Sequence, residues 1–272
     1  MWLHELPSCL RRRLFSFLRQ NFSQFTAVCS QVCSGLRDNS GLITSQKKEC
    51  VLNGKSVFYA AFDSIRDTLD YDFGQEKAFS YSELDAVQAI KHIAKFISGI
   101  WQIHPFCEGN TRTTAVFMIK YLQTIGFNVS NQVFAENSWY FRNALVRANF
   151  NDLQNNIHST TVFLEQFMEN LLTGAQHDLK NRYMHVDYSD AAQSATQSAK
   201  ADVSKRQKCT LEELAILQAI AQNPAITQRE LAATTVTSER TIKRRTVDLQ
   251  EKGMLRRRNG KRNGLWEILV EI

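Results

Sequence analysis

The densest chemistry in this 272-residue chain lies between residues 104 and 112, His104-Pro105-Phe106-Cys107-Glu108-Gly109-Asn110-Thr111-Arg112. The stretch gathers a base, a carboxylate, a glycine, an amide and a guanidinium. Pro105 ends any helix before it, because the residue preceding a proline is pushed out of the α region, and a helix restarting near Gly109 presents its first N–H groups unpaired. Those donors form an anion site that the helix dipole favours by about 0.3–1 kcal/mol before any side chain contributes. Gly109 lets the backbone approach a bound group, Asn110 adds an amide, and Arg112 can grip phosphate oxygens in bidentate fashion. One carboxylate, Glu108, completed by phosphate oxygens and water, suits Mg²⁺. His104 is then the group that takes the proton of a hydroxyl attacking a nucleoside polyphosphate. Singly, these residues have plainer explanations: a structural histidine, a turn, a solvated charge. Their combination at this spacing points to group transfer.

Two apolar segments must position the stretch. Upstream, Val87, Ile90, Ile93, Ile97 and Trp101 recur at helical spacing, and downstream Ala115, Met118, Ile119 and Leu122 do the same, so the motif is the elbow of a helix-loop-helix. Before it, the run Val51 to Tyr59 holds two β-prone segments about Asn53-Gly54, which predicts a hairpin. Residues 64–79, with Ile65, Leu69 and Phe73, predict a helix, and a serine cap at Ser80-Tyr81-Ser82, with Asp85 three residues on, starts the helix leading to the motif. Gly126 marks the end of the motif helix. Residues 138–150 follow as a helix with Trp139, Leu145, Val146 and Phe150 along one side, and residues 157–172 as another that closes the domain.

The motif resembles the signature of the Fic (Fido) family, His-Pro-Phe-x-Asp/Glu-Gly-Asn-Gly-Arg-x-x-Arg, matching at His104, Pro105, Phe106, Glu108, Gly109, Asn110 and Arg112. The resemblance implies a mainly α fold with a small β-hairpin flap, and transfer of AMP from ATP to a Ser, Thr or Tyr hydroxyl of a target protein. It implies roles as well. His104 is the general base, Glu108 the Mg²⁺ ligand, and Gly109, Asn110, Thr111 and Arg112 the nucleotide-binding loop, with Phe106 anchoring it. Tyr140 and Asn143 fall on the base-binding side, and Gly54, Lys55, Ser56 and Val57 form the flap that pairs with the target as an added strand. Two positions depart: Thr111 replaces the second glycine, and Ala115 stands where the family's last arginine contacts the γ-phosphate. The family's inhibitory Ser/Thr-x-x-x-Glu-Gly/Asn helix has no full copy. The nearest string, Ser45 to Cys50, lacks the closing residue, and its glutamate would lack its arginine partner. Restraint is therefore expected from elsewhere, a separate inhibitory protein included.

Composition sets the frame. Hydrophobic residues at 43% and charged ones at 22% are ordinary globular values. Arg11, Arg12, Arg13 and Arg19 interrupt the first 25 residues, which excludes a membrane span or secretory leader there and predicts a cytoplasmic protein. Six cysteines without metal-ligand spacing read as reduced thiols. Residues 1–45 read as an amphipathic helix (Leu14, Phe15, Phe17, Leu18) and a polar loop, residues 46–175 as the Fic domain, and residues 176–208 as a flexible linker with a polar, helical start.

Charge separates the rest. Residues 205–272 hold 14 Lys or Arg against 8 Asp or Glu, a net of +6, which equals the net charge of the whole chain. Helices over 211–221, after the Thr227 cap and after the Ser238 cap, followed by two alternating stretches around residues 259–264, resemble a winged helix-turn-helix over residues 209–272. That resemblance places Ser238, Arg240, Thr241, Lys243, Arg244 and Arg245 on the recognition helix, and Arg257, Lys261 and Arg262 in the wing, toward DNA. Two functional classes follow. One is a Mg²⁺-dependent protein adenylyltransferase (AMPylase) with a DNA-binding end. The other is a transcriptional regulator whose Fic domain only senses nucleotide, and Ala115 also leaves a phosphotransferase open. As partners, the target protein and DNA are expected, a homodimer stays open, and a membrane is not expected.

Overall fold

The computed structural model describes residues 48–81, 84–105, 109–188, 209–258 and 264–270. The sequence-predicted N-terminal helix, Phe106, Cys107, Glu108, the wing residues Lys261 and Arg262, and the inner part of the linker lie outside these.

The molecule is built around one helix. Helix α1 (Ile65–Ala78) leads into α2 (Ala86–Ile103), whose Ala89, Ile90, Ile93, Ala94, Ile97 and Trp101 are all buried. Burying each large side chain stabilises by roughly 1.5–3 kcal/mol. Asp85 starts α2 with a capping box: its carboxylate accepts from the Gln88 N–H, and the Gln88 side chain accepts from the Asp85 N–H. Asp85 is thus the cap itself rather than the third residue of a serine-capped turn, because Gln88 answers it three residues on. Around α2 pack α1, α3 (Asn110–Thr124), α5 (Ser138–Ala148) and α6 (Val162–Thr173), with the short α4 (Gln132–Glu136) leaning on α5.

The Asn53-Gly54 hairpin does not form. Asn53 (φ 53°) and Gly54 (φ 81°) do take the left-handed conformations such a turn requires, but Cys50–Leu52 winds into a 3₁₀ turn and no strand pairs across it. The reason is in the flanking residues. Val51 and Leu52 are adjacent and both buried, which a strand of alternating faces cannot provide. Residues 176–188, read as the start of a flexible linker, instead pack down: Met184 is fully buried, and Val186 N–H donates to Val51 O at 3.0 Å.

The basic end has the expected order: α7 (Leu211–Gln222), α8 (Gln228–Thr234), α9 (Glu239–Glu251), then β1 (Leu255–Arg258) antiparallel to β2 (Leu265–Ile268) with Leu255 opposite Ile268. Thr227 and Ser238 cap α8 and α9 as expected. The unit is not a tethered bead, however. In α7, Leu211, Leu214, Ala215, Ile216, Leu217, Ala219 and Ile220 are buried, an apolar surface too wide for one partner. One side of α7 carries the winged helix; the other packs on α6 and α2, and a single apolar core runs through both units. Ala86 N–H donates to Cys209 O at 2.8 Å, so the start of α2 and the start of α7 are pinned together.

Candidate active site and nucleic-acid interface

The elbow between α2 and α3 gathers most of the sequence-predicted loop. His104 terminates α2 in the left-handed conformation (φ 54°, ψ 54°), its N–H donating to Trp101 O at 3.1 Å. A non-glycine residue there is uncommon and turns the imidazole out of the helix line. Its ring lies 3.9 Å from that of Tyr59, centroid to centroid, and 5.9 Å from Trp101. Tyr59 therefore covers one side of the base. Burial, with the nearby Glu49 charge, pushes the Tyr59 hydroxyl up to about 12, so a neutral phenol ring is what His104 meets at neutral pH.

Across the elbow, Gly109 begins α3 at φ 78°, with no side chain to cap the helix. The Arg112 guanidinium folds back over it: a Cβ on Gly109 would stand 3.6 Å from one terminal nitrogen of Arg112. Arg112 is exposed, Asn110 buried. The Thr111 hydroxyl accepts from the Trp101 indole N–H at 3.0 Å, so the residue that replaces the second motif glycine has its hydroxyl drawn to the core helix α2. Ala115 is packed in the core and brings no cation to the next turn.

The segment covering His104 is held at several points. Glu49 is buried and takes both terminal guanidinium nitrogens of Arg142, at 2.6 and 2.7 Å. Its carboxylate is thereby committed to Arg142. Lys55 is ion-paired with Asp152, and the Gln102 amide donates to Phe58 O at 3.2 Å. The flap residues divide accordingly: Gly54 forms the turn, Lys55 is an anchor, the Ser56 hydroxyl donates to Val57 O at 3.2 Å, and Val57 is buried. Phe58 stays 73% exposed beside them.

Tyr140 and Asn143 are occupied elsewhere. The Tyr140 hydroxyl donates to Gln166 Oε1 at 3.3 Å and its ring stacks near Phe167, while the Asn143 amide donates to Asn181 Oδ1 at 2.8 Å. Both are core residues here. Trp139, expected on the apolar side, is instead 68% exposed with Arg142 6.0 Å from its ring centroid. The contacts of Tyr59 and Trp101 were not foreseen as part of the site. Tyr59 lies 45 residues from His104 and nothing local announces the stack, whereas Trp101 already stood out as the last of the helically spaced apolar residues before the motif.

At the basic end, Arg240, Lys243 and Arg244 are exposed along one face of α9, followed at the same spacing by Val247, 44% exposed. Ser238 serves as the cap, its hydroxyl accepting from Thr241 N–H at 3.1 Å and lying 2.8 Å from Thr241 Oγ1. Arg245 differs from its neighbours: its guanidinium donates twice to Glu212 of α7, at 3.0 and 2.7 Å, which ties it to α7. Arg256 and Arg258 share Glu267, and Arg257 stacks over Trp266 at 4.8 Å.

Comparison with known families agrees with both halves. Residues 27–122 match the Fic/DOC family, and residues 213–256 match a winged helix-turn-helix DNA-binding family. The chain carries a Fic domain and a winged helix. No curated protein and no solved structure matches it. The Fic match begins well before the described residues and ends at Leu122, inside α3, so it spans the elbow. No helix among the described residues is long and apolar enough to cross a membrane.

Proposed function

We propose that the chain is a protein adenylyltransferase, moving AMP from ATP to a Ser, Thr or Tyr hydroxyl of a target protein, with its winged helix bound to DNA. What supports the reading is the elbow's content: a base stacked on Tyr59 at the end of α2 and, after the loop, the start of α3 without a side-chain cap and with Arg112 folded over Gly109. The uncapped N–H groups and the guanidinium receive the phosphates. His104 accepts the proton of the target hydroxyl as its oxygen bonds to the α-phosphorus; the bond to the β-phosphate bridge breaks, and pyrophosphate leaves. General-base action of this kind contributes roughly 10²–10⁴-fold.

Mg²⁺ fits the donor chemistry, since one carboxylate in sequence before an anion-binding helix start, completed by phosphate oxygens, is its usual arrangement. Glu108, outside the described residues, would hold it, and the ion would neutralise charge on the phosphates. Because Ala115 is buried and no cation follows Arg112 on the next turn, two other readings keep a specific observation in their favour: a nucleotide-sensing regulator, and a phosphotransferase.

Purified full chain and lysate, incubated with Mg²⁺ and ATP labelled at the α- or the γ-phosphate, separate these. AMP transfer predicts protein label from α only, lost in His104→Ala. Label from γ only would mean phosphotransfer, and no His104-dependent label from any nucleoside triphosphate would leave the sensing regulator.

A further inference from the structure

Helix α3 has two ends, and each meets something different. Its first turn, from Gly109 to Arg112, is the phosphate-binding end of the proposed active site. Its last turn runs into Gly126, at φ 101°, where a Cβ would stand 2.9 Å from the carbonyl oxygen of Thr235 and 3.1 Å from its Cα. Thr235 closes α8 and opens the turn into α9. It is buried, its hydroxyl donates to Leu231 O at 2.7 Å, and it lies 2.9 Å from Thr237 Oγ1. The next residue, Val236, stands at φ 54°. A β-branched side chain in the left-handed region is an outlier that persists only where the surroundings over-determine it. The same corner is fastened by the Asn128 amide, which donates to Gln222 Oε1 at the end of α7 at 3.0 Å, and by buried Phe127 and Val129.

The turn that aims the recognition helix is therefore braced by the far end of the helix whose start would hold phosphate. The helix between them is 15 residues long, about 22 Å at 1.5 Å per residue.

We propose that occupancy of the α3 N-terminus and occupancy of α9 by DNA are linked through the Gly126–Thr235 contact. Strain held in place by neighbours, as at Val236, is one way a fold makes an element bistable. A shift of α3 along its axis as phosphate binds moves Gly126 against Thr235, releases or tightens Val236, and changes how α9 is presented. Linkage is reciprocal, so bound DNA must change the affinity of the Fic site by the same factor. The identity of the ligand at the α3 start rests on the function proposed above; the contact at Gly126 does not.

Amide hydrogen exchange and fluorescence anisotropy on the full chain, with a labelled duplex of ~30 base pairs at low salt, test this, low salt being where phosphate contacts bind most tightly. Adding duplex is expected to slow exchange at residues 110–114 as well as along α9. Saturating Mg-ATP is expected to change the duplex Kd by about five-fold or more. Val236→Gly, which adopts the turn without strain, is expected to bring that factor below about two while both ligands still bind. Exchange changes confined to residues 209–270, with a duplex Kd unmoved by ATP that a parallel titration shows to be bound, would overturn the linkage. So would a duplex that does not bind. ATP that fails to bind defeats the functional reading instead, and the exchange response to duplex then decides the linkage alone.

Discussion

The start of α3 and the starts of the winged-helix helices treat the same problem in opposite ways. Every helix begins with N–H groups that lack partners. In the winged helix these are closed locally: Thr210 and Glu213 form a reciprocal box on α7, Thr227 and Glu230 on α8, and Ser238 accepts from Thr241 N–H on α9. At α3 the cap position is Gly109 in the left-handed conformation, which has no side chain to cap the helix. A missing side-chain cap is not in itself the signal, since α1, α5 and α6 begin without one as well. What sets α3 apart is a glycine cap overlaid by an exposed guanidinium, beside a histidine turned out of its own helix. The winged-helix starts are closed by side chains of their own first turns, whereas the α3 start carries a glycine and a guanidinium, the pair proposed to take phosphate.

The largest break in the contrast comes from the base. His104→Ala is expected to lower transfer by roughly 10²–10⁴-fold while circular dichroism still shows the native helix content, because the residue terminates α2 rather than filling its core. Next is the anchor under the covering segment. Arg142→Ala leaves the Glu49 carboxylate buried and alone, and a loss of about 3–5 kcal/mol in urea unfolding is expected. A loss under 1 kcal/mol would show that Glu49 reaches water when released.

Smaller effects sharpen the other side. Thr210→Ala removes one half of the α7 box and should cost about 1 kcal/mol of stability while leaving label transfer per folded molecule unchanged. Among the cations of α9, Arg244→Ala should reduce the slope of log Kd against log salt by about 1, whereas Arg245→Ala should leave the slope as it is and lower stability by roughly 1 kcal/mol through its bond to Glu212. Equal slopes for the two variants would mean that Arg245 leaves Glu212 to meet DNA.

Much of this was legible from residue order. The periodic apolar runs located α2 and α3, the Thr227 and Ser238 caps located α8 and α9, and the alternation on either side of residues 259–264 located β1 and β2. These signals are local, written within a few turns of chain. The errors arose where a distant partner decided. Val51 and Leu52 were drawn inward together and Glu49 was fixed by Arg142, so the Asn53-Gly54 turn formed without its strands. Tyr140 and Asn143, placed on the base-binding side only by the family resemblance, bond to Gln166 and Asn181. Arg245 reads like Arg244 in sequence, and only the packing of α9 on α7 sends it to Glu212. The breadth of the apolar surface on α7 was visible, yet its meaning, a wall shared by both units, required knowing what stood on each side.

The most direct test of the open helix start is isothermal titration of the full chain with Mg-ATP, comparing the native protein with Gly109→Asp. An aspartate there sets a carboxylate beside Arg112, where phosphate is proposed to sit. The account predicts that ATP binding weakens by at least about ten-fold while α3 remains folded, as a lost charge-assisted contact requires. Unchanged ATP affinity in the variant would contradict it and place the phosphates elsewhere.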